Sequence, residues 1–163
     1  MYFSPTLEST LTSDKMSVRE AQRKAEWIAF GPVVFQSSRL MVKFGILELL
    51  RNSDEGMEFD EIVENINISP YAIKVLLESA LCIGTVMLTE DKKRFLLTKT
   101  GWCLLTDELV NVNMDFNHDV NYEGWFRLED SLKEGRPVGL EHFGNWTTIY
   151  EGLSSLPNQV QKS

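Results

Sequence analysis

The clearest hydrophobic pattern lies in residues 58–100, where two helical repeats precede an alternating one. Apolar side chains recur at helical spacing over residues 58–66, which predicts a short helix. A second helix is expected to begin at Pro70, because Ser69 can cap its free amides and proline lacks only an amide that would stay unbonded there. It should end at Gly84, since glycine readily adopts the left-handed conformation that closes a helix.

The period of the pattern changes after this second helix. Residues 85–89 are rich in β-branched side chains, residues 90–93 are a polar turn, and residues 94–98 alternate again, which predicts a β-hairpin. Helix, turn, helix and hairpin is the element order of a winged helix. The predicted fold is therefore mostly α: a winged helix with a small β-hairpin, plus flanking N- and C-terminal helices.

An N-terminal helix is predicted after a flexible tail of residues 1–16. Ser17 and Glu20 have capping-box spacing, so this helix should begin there and end near Phe30. The apolar positions expected to face inward are Val18, Ala21, Ala25 and Ile28.

A longer helix is predicted over residues 33–51, after a break at Gly31 and Pro32. Its apolar side chains are more than one face can hide in a small domain. The simple explanation is a central core helix. We favour the alternative that its outer side, with the preceding helix, contributes to a subunit interface.

After the hairpin, Thr98 can cap a short helix through Leu105, and a long helix is expected within residues 113–134. Gly124 lies inside this helix at a cost of roughly 1 kcal/mol, which indicates a break or a close approach by another group. Residues 146–153 could form one or two further turns. The best apolar stripe of the long helix, for which core packing is favoured, is Val120, Trp125, Leu128 and Leu132.

Composition indicates one globular domain, with 43% hydrophobic and 25% charged residues among 163. The formal net charge of −8 repels polyanions, so DNA binding would need a local basic patch. The predicted recognition helix offers Lys74 and no arginine, and the wing turn holds the one basic cluster, at residues 92–94. A winged-helix DNA-binding regulator is therefore the disfavoured alternative.

Motifs for catalysis or cofactor binding are absent from the sequence. No Gly-x-Ser-x-Gly occurs, and no two glycines are separated by one residue, which excludes a dinucleotide fingerprint. His118 and His142 lack a second histidine or cysteine at metal-ligand spacing, and Cys82 and Cys103 are expected as buried free thiols. With no apolar run of roughly 18 residues and no secretion signal, a cytoplasmic location without membrane contact is expected.

Aromatic side chains are concentrated in the last third of the sequence, and some of them stand on predicted loops or helix ends. With a few polar neighbours they could line a pocket for a planar small molecule. The residues considered are Phe116, Phe143 and Trp146, with Asn113, Asn117 and His142.

Several short motifs occur in one order along most of the chain. They are Phe44-Gly45-Ile46, Pro70 with Leu76 and Leu77, Leu97-Thr98 with Gly101, Trp125-x-x-Leu128, Gly135, Pro137, Phe143-Gly144 and Tyr150. In this order the chain resembles the N-terminal winged-helix domain of class I S-adenosylmethionine-dependent O-methyltransferases of the caffeic acid and hydroxyindole type. The strongest resemblance covers residues 43–107.

The resemblance implies a dimerisation winged-helix domain at residues 17–112 and a helical substrate-lid and connector segment at residues 113–163. In that family a Rossmann-like domain follows and holds the methyl donor, S-adenosylmethionine, and the catalytic base; this sequence lacks it. By position, the substrate-binding residues would be Phe116, Asn117 and Val120, and no residue takes the catalytic role.

These implications predict a homodimer that binds a small-molecule substrate only within a full-length protein. The chain alone should neither bind S-adenosylmethionine nor transfer methyl groups, and no nucleic acid partner is expected. A third hypothesis is a self-sufficient small-molecule binder, which ligand-induced thermal stabilisation would support.

Overall fold

The structure is a computed structural model that describes residues 13–144, 146 and 148–152. The predicted tail therefore lies almost entirely outside the described residues, as do residues 154–163. Before the hairpin the helices are α1 (Val18–Ala29), α2 (Gly31–Lys43), α3 (Ile46–Arg51), α4 (Phe59–Asn65) and α5 (Pro70–Ile83). The hairpin strands are β1 (Val86–Leu88) and β2 (Phe95–Leu97).

The chain after the hairpin is helical but irregular. It contains α6 (Lys99–Thr106), α7 (Glu108–Phe116), a π-helical segment (Asn117–Asn121), α8 (Tyr122–Gly124), a 3₁₀ turn (Trp125–Arg127), α9 (Leu128–Glu134), a 3₁₀ segment (Val138–His142) and α10 (Ile149–Gly152). No helix in the described part of the chain is both long and apolar enough to cross a bilayer.

The winged-helix order and its helix caps are confirmed. The Ser69 hydroxyl accepts a hydrogen bond from the Ala72 amide at 3.2 Å, and Gly84 ends α5 with φ of +85°. The hairpin is antiparallel with Val86 opposite Leu97. Met57, which precedes α4, forms an isolated antiparallel bridge with Phe95 of β2. The sequence pattern did not predict this bridge.

The core lies among α2, α3, α5 and the hairpin, with α2 packed on α5 and α3 packed on β2. α3 contributes three residues that are at most 1% exposed, although it is only six residues long. The buried set is Met41, Ile46, Leu47, Leu50, Ile62, Ile73, Leu76, Leu77, Ala80 and Val86. This one cluster fixes the positions of all elements from α2 to β2.

The predicted helix over residues 33–51 is wrong in one respect, because the structure divides it. Gly45 adopts φ of +76° and separates α2 from α3, while α2 already begins at Gly31. The two short helices turn different faces to the core. Part of the apolar excess is thus buried, in Ile46, Leu47 and Leu50, without a second protein layer.

The predicted inward face of α1 is also wrong. Its capping box is present, with the Ser17 amide donating to the Glu20 carboxylate at 2.8 Å. Yet none of its residues is buried, and Val18 and Ile28 are 86% and 73% exposed. The stripe therefore has the right spacing for a buried face, but the described part of this chain does not cover it.

The stripe predicted in the long helix does not pack in the core as a whole. Val120 is buried, whereas Trp125 and Leu128 are about half exposed and Leu132 is 76% exposed. The π-helical segment and the 3₁₀ turn change the number of residues per turn, so a regular helical repeat does not stay on one face here. Core packing of Trp125 was the wrong expectation.

The two cysteines also differ from expectation. Cys82 and Cys103 are free thiols as predicted, but both are exposed rather than buried. Within the described residues no group of histidine, cysteine and acidic side chains could hold a metal ion.

Gly101 is required by close packing of α6 on the hairpin. A Cβ atom at this position would overlap the Thr85 carbonyl oxygen and the Leu97 side chain. The Gly101 amide also donates to the Thr98 hydroxyl that caps α6, at 3.2 Å. The glycine therefore allows α6 to follow β2 without a gap.

Replacing Gly101 with alanine should lower the free energy of unfolding by about 1–3 kcal/mol, because the backbone of Thr85 must move. Urea denaturation monitored by circular dichroism would measure this. Gly31→Ala is the matched control, since a Cβ there meets no atom within 4 Å. Equal stability of the two variants would contradict this account of the α6 packing.

Candidate functional site

Two of the three predicted substrate residues line one open cleft. Phe116 ends α7 and is 38% exposed, and Val120 lies in the π-helical segment and is 5% exposed. Their cleft has a volume of about 420 Å³ and is closed on its other side by Leu140, Phe143 and Ile149. We call it the lid cleft.

The third predicted residue, Asn117, does not line the lid cleft. Its side-chain oxygen accepts a hydrogen bond from the Asn121 amide group at 2.9 Å, and Asn121 lines the cleft together with Ser131 and Thr148. Sequence reasoning missed Asn121 because the local π-helical winding is not visible in the hydrophobic pattern. The substrate roles of Phe116, Asn117 and Val120 remain predictions.

One wall of the lid cleft depends on a close backbone contact between Gly124 and Gly139. A Cβ on Gly139 would come within 2.6 Å of the Gly124 carbonyl oxygen, so the 3₁₀ segment lies directly against α8. This is the close approach that the glycine inside the predicted helix indicated. This contact brings Phe143 toward Val120.

Ion pairs on the surface reinforce the same wall. Glu141 pairs with Arg127 at 3.7 Å and with Arg136 at 2.8 Å, and His142 Nε2 contacts the Glu123 carboxylate. Hydrogen bonds to Glu141 and Glu134 raise the pKa of Arg136 above its usual value. All these side chains are well exposed, so the ion pairs contribute little to the free energy of unfolding. Their main effect is to orient the 3₁₀ segment.

A second cleft lies on the other side of the same helical segment, against the start of α2. Phe35 stacks on Tyr122 with ring centroids 5.6 Å apart, and the Tyr122 hydroxyl donates to the Pro32 carbonyl oxygen at 3.4 Å. The volume is about 650 Å³. This aromatic cleft is lined by Gly31, Pro32, Phe35, Tyr122, Trp125 and Phe126.

Polar side chains stand next to the aromatic cleft. Gln36 and the His118 ring are 3.4 Å apart between the amide nitrogen and Nδ1. The pKa of His118 is lowered from its usual value, chiefly because burial penalises the charged ring and then because Arg39 repels a second positive charge. Lys43 acts in the same direction. His118 is consequently neutral at pH 7, while Arg39 and Lys43 carry the positive charge of this region.

In the basic cluster of the wing, Arg94 is engaged within the domain, whereas Lys92 and Lys93 are exposed. The Arg94 guanidinium donates to the Gly56 carbonyl oxygen at 2.6 Å and pairs with Glu61 at 3.5 Å and Glu58 at 3.9 Å. On α5, Lys74 lies 4.0 Å from Glu78. The arginine thus fastens the wing to α4, and no observation favours the DNA-binding alternative.

The sequence of residues 22–95 matches the family model of the Dimerisation2-like domain. This range begins within α1 and ends at the start of β2, so it includes the buried core cluster. No curated protein matches the sequence.

Three solved structures share the fold at low sequence identity. The S-adenosylmethionine-dependent methyltransferase SibL superposes with a TM-score of 0.69 at 20% identity, over 83% of this chain. Human N-acetylserotonin methyltransferase gives a TM-score of 0.61 at 20% identity over 88%. LepI in complex with S-adenosylmethionine gives 0.72 at 12% identity over 95%.

This chain spans 40%, 43% and 45% of those three structures, respectively, and thus less than half of each. The resemblance predicted from the sequence is confirmed by the family match and by the shared fold. Residues 22–95 thus match the Dimerisation2-like domain, and the chain shares its fold with part of SibL and part of human N-acetylserotonin methyltransferase.

Proposed function

We propose that this chain forms the homodimeric core and the substrate lid of a cytoplasmic S-adenosylmethionine-dependent methyltransferase that acts on small molecules. The domain match to residues 22–95 is the observation that carries the proposal. Residues 17–112 would provide the dimerisation winged helix. Residues 113–163 would form the lid and lead to a Rossmann-like domain that binds the methyl donor.

The uncovered face of α1 supports a second copy as the partner. Apolar side chains are also exposed at the turn after α1 and at the start of α2. The exposed apolar side chains of this region are Val18, Trp27, Ile28, Phe30 and Val33. Burial of such side chains contributes about 25 cal/mol per Å², and stable interfaces cover about 800 Å² on each partner. Several exposed large apolar side chains in one region are a physical reason for a dimer.

The lid cleft supports the substrate proposal. Its lining combines aromatic and aliphatic side chains with Asn121 as a polar group, which suits a small, largely apolar molecule. Phe116 and Val120 would contact this molecule from one wall. Asn117 would orient the Asn121 side chain toward this molecule through the hydrogen bond between the two residues.

Substitution of Ile28 by glutamate should convert the dimer to a monomer, because a charge would be buried in the interface. Light scattering should give about twice the chain mass of 18.7 kDa for the unmodified protein and the single mass for Ile28→Glu. Leu132→Glu is the matched control, because Leu132 is 76% exposed against 73% for Ile28 but lies on α9. A monomeric unmodified chain would contradict the proposal.

Isothermal titration of S-adenosylmethionine into the chain should show no binding, since its sequence has no glycine-rich turn to hold the cofactor. The same titration into a longer protein that carries the companion domain should show saturable binding. Micromolar affinity of this chain alone would require a different assignment of the cofactor site.

A further inference from the structure

Helix α7 exposes an apolar stripe of its own, far along the chain from the one on α1. Leu109, Val112 and Phe116 follow the spacing i, i+3 and i+7, so they share one face of the helix, called the α7 stripe. They are 70%, 47% and 38% exposed. Met114 is buried on the opposite side of α7. The outer face of this helix is therefore apolar and uncovered in the described part of the chain.

Negative charge borders the α7 stripe. Glu108 and Asp115 are exposed, and the helical period places both along one edge of the stripe. Residues 107–116 contain three carboxylates and no cation. A groove of about 650 Å³ beside the first turn of α7 is lined by Thr106, Asp107, Glu108, Leu109 and Val112. This face suits an apolar helix that carries positive charge at its edge.

Helix α1 has the matching properties. Its apolar positions Val18, Ala21, Ala25 and Ile28, called the α1 stripe, include no buried residue. Lys24 is exposed and lies about 40° around the helix from Ile28, at the edge of the stripe. In a chain with a net charge of −8, α1 contains three cations and two carboxylates. The charge at the edge of the α1 stripe is thus opposite to the charge at the edge of the α7 stripe.

The charged groups at these two edges are available for pairing. Lys24, Glu108 and Asp115 form no ion pair with any residue that the structure describes. The stripes also have similar lengths, about 15 Å on α1 and about 10 Å on α7 at 1.5 Å per residue. The two faces are therefore complementary in charge and extent.

We propose that the α1 stripe of one copy packs on the α7 stripe of a second copy of this chain, with Lys24 next to Glu108 and Asp115. The inference rests on the proposed homodimer and names the two surfaces that meet in it. In a twofold dimer the contact forms twice, because α1 of each copy lies on α7 of the other.

A second copy is the occupant because this chain carries both halves of the match. Both stripes are exposed in the same chain, so neither covers the other within it. A twofold pairing covers both at once and doubles the apolar area removed from water. An unrelated protein seated on α7 would leave the α1 stripe exposed.

Substitution of Leu109 by glutamate should convert the dimer to a monomer, because it places a carboxylate inside the apolar contact. Light scattering measures the mass, and circular dichroism of the same sample checks the fold. Leu132→Glu is the matched control, since Leu132 is 76% exposed against 70% for Leu109 but lies on α9. A dimer that persists in Leu109→Glu would overturn the pairing.

Charge reversal tests which edges meet. Lys24→Glu should raise the dimer dissociation constant about tenfold in sedimentation equilibrium, because it places like charges together. Combining it with Glu108→Lys and Asp115→Lys should restore association to within about threefold. Arg23→Glu is the control, because it changes the net charge equally from the side of α1 opposite the stripe. Equal weakening by Arg23→Glu and Lys24→Glu, or no restoration by the combined variant, would contradict the proposed register.

The same measurements separate this inference from the dimer itself. A monomeric unmodified chain would contradict the homodimer. A dimer that is dissociated by Ile28→Glu but not by Leu109→Glu would support the homodimer and overturn the pairing of α1 with α7 alone.

Discussion

The structure depends on the burial of α3 against α2, α6 and strand β2 of the hairpin. Ile46 and Leu47 are completely inaccessible, and they meet Ile73 and Leu77 from α5 in the same cluster. Removing such side chains from water is the largest favourable contribution that a small domain has. The left-handed turn at Gly45 makes this burial feasible, because it lets α3 leave the direction of α2. The family match includes all of these elements.

The same small core leaves apolar surface at the edges of the domain. α1 lies outside the core cluster, and apolar side chains are exposed both on α1 and at the start of α2. In a chain with a net charge of −8, most polyanionic partners are repelled, whereas another apolar surface is not. The net negative charge and the exposed apolar side chains of this winged helix thus suit protein partners. Arg94 fixes the wing to Gly56 and Glu61 and does not extend into solvent.

The helical segment after the hairpin separates two chemically different clefts. Its π-helical part places Val120 toward the lid cleft and His118 toward α2, two positions apart in sequence. One cleft is closed by the contact of Gly124 with Gly139, and the other by the stacking of Phe35 on Tyr122. A single irregular segment thereby forms one wall of both the lid cleft and the aromatic cleft.

The sequence by itself determined the elements that depend on local interactions. Caps such as Ser69 and Thr98, the end of α5 at Gly84 and the two-residue period of the hairpin act within a few residues, so their signals are readable. Tertiary structure alone decided which apolar faces are covered. The stripe of α1 and Trp125 have core-like spacing, but coverage depends on neighbours distant in the sequence or on another chain. For the same reason the aromatic cleft, which joins residues about 90 positions apart, could not be predicted from any local pattern.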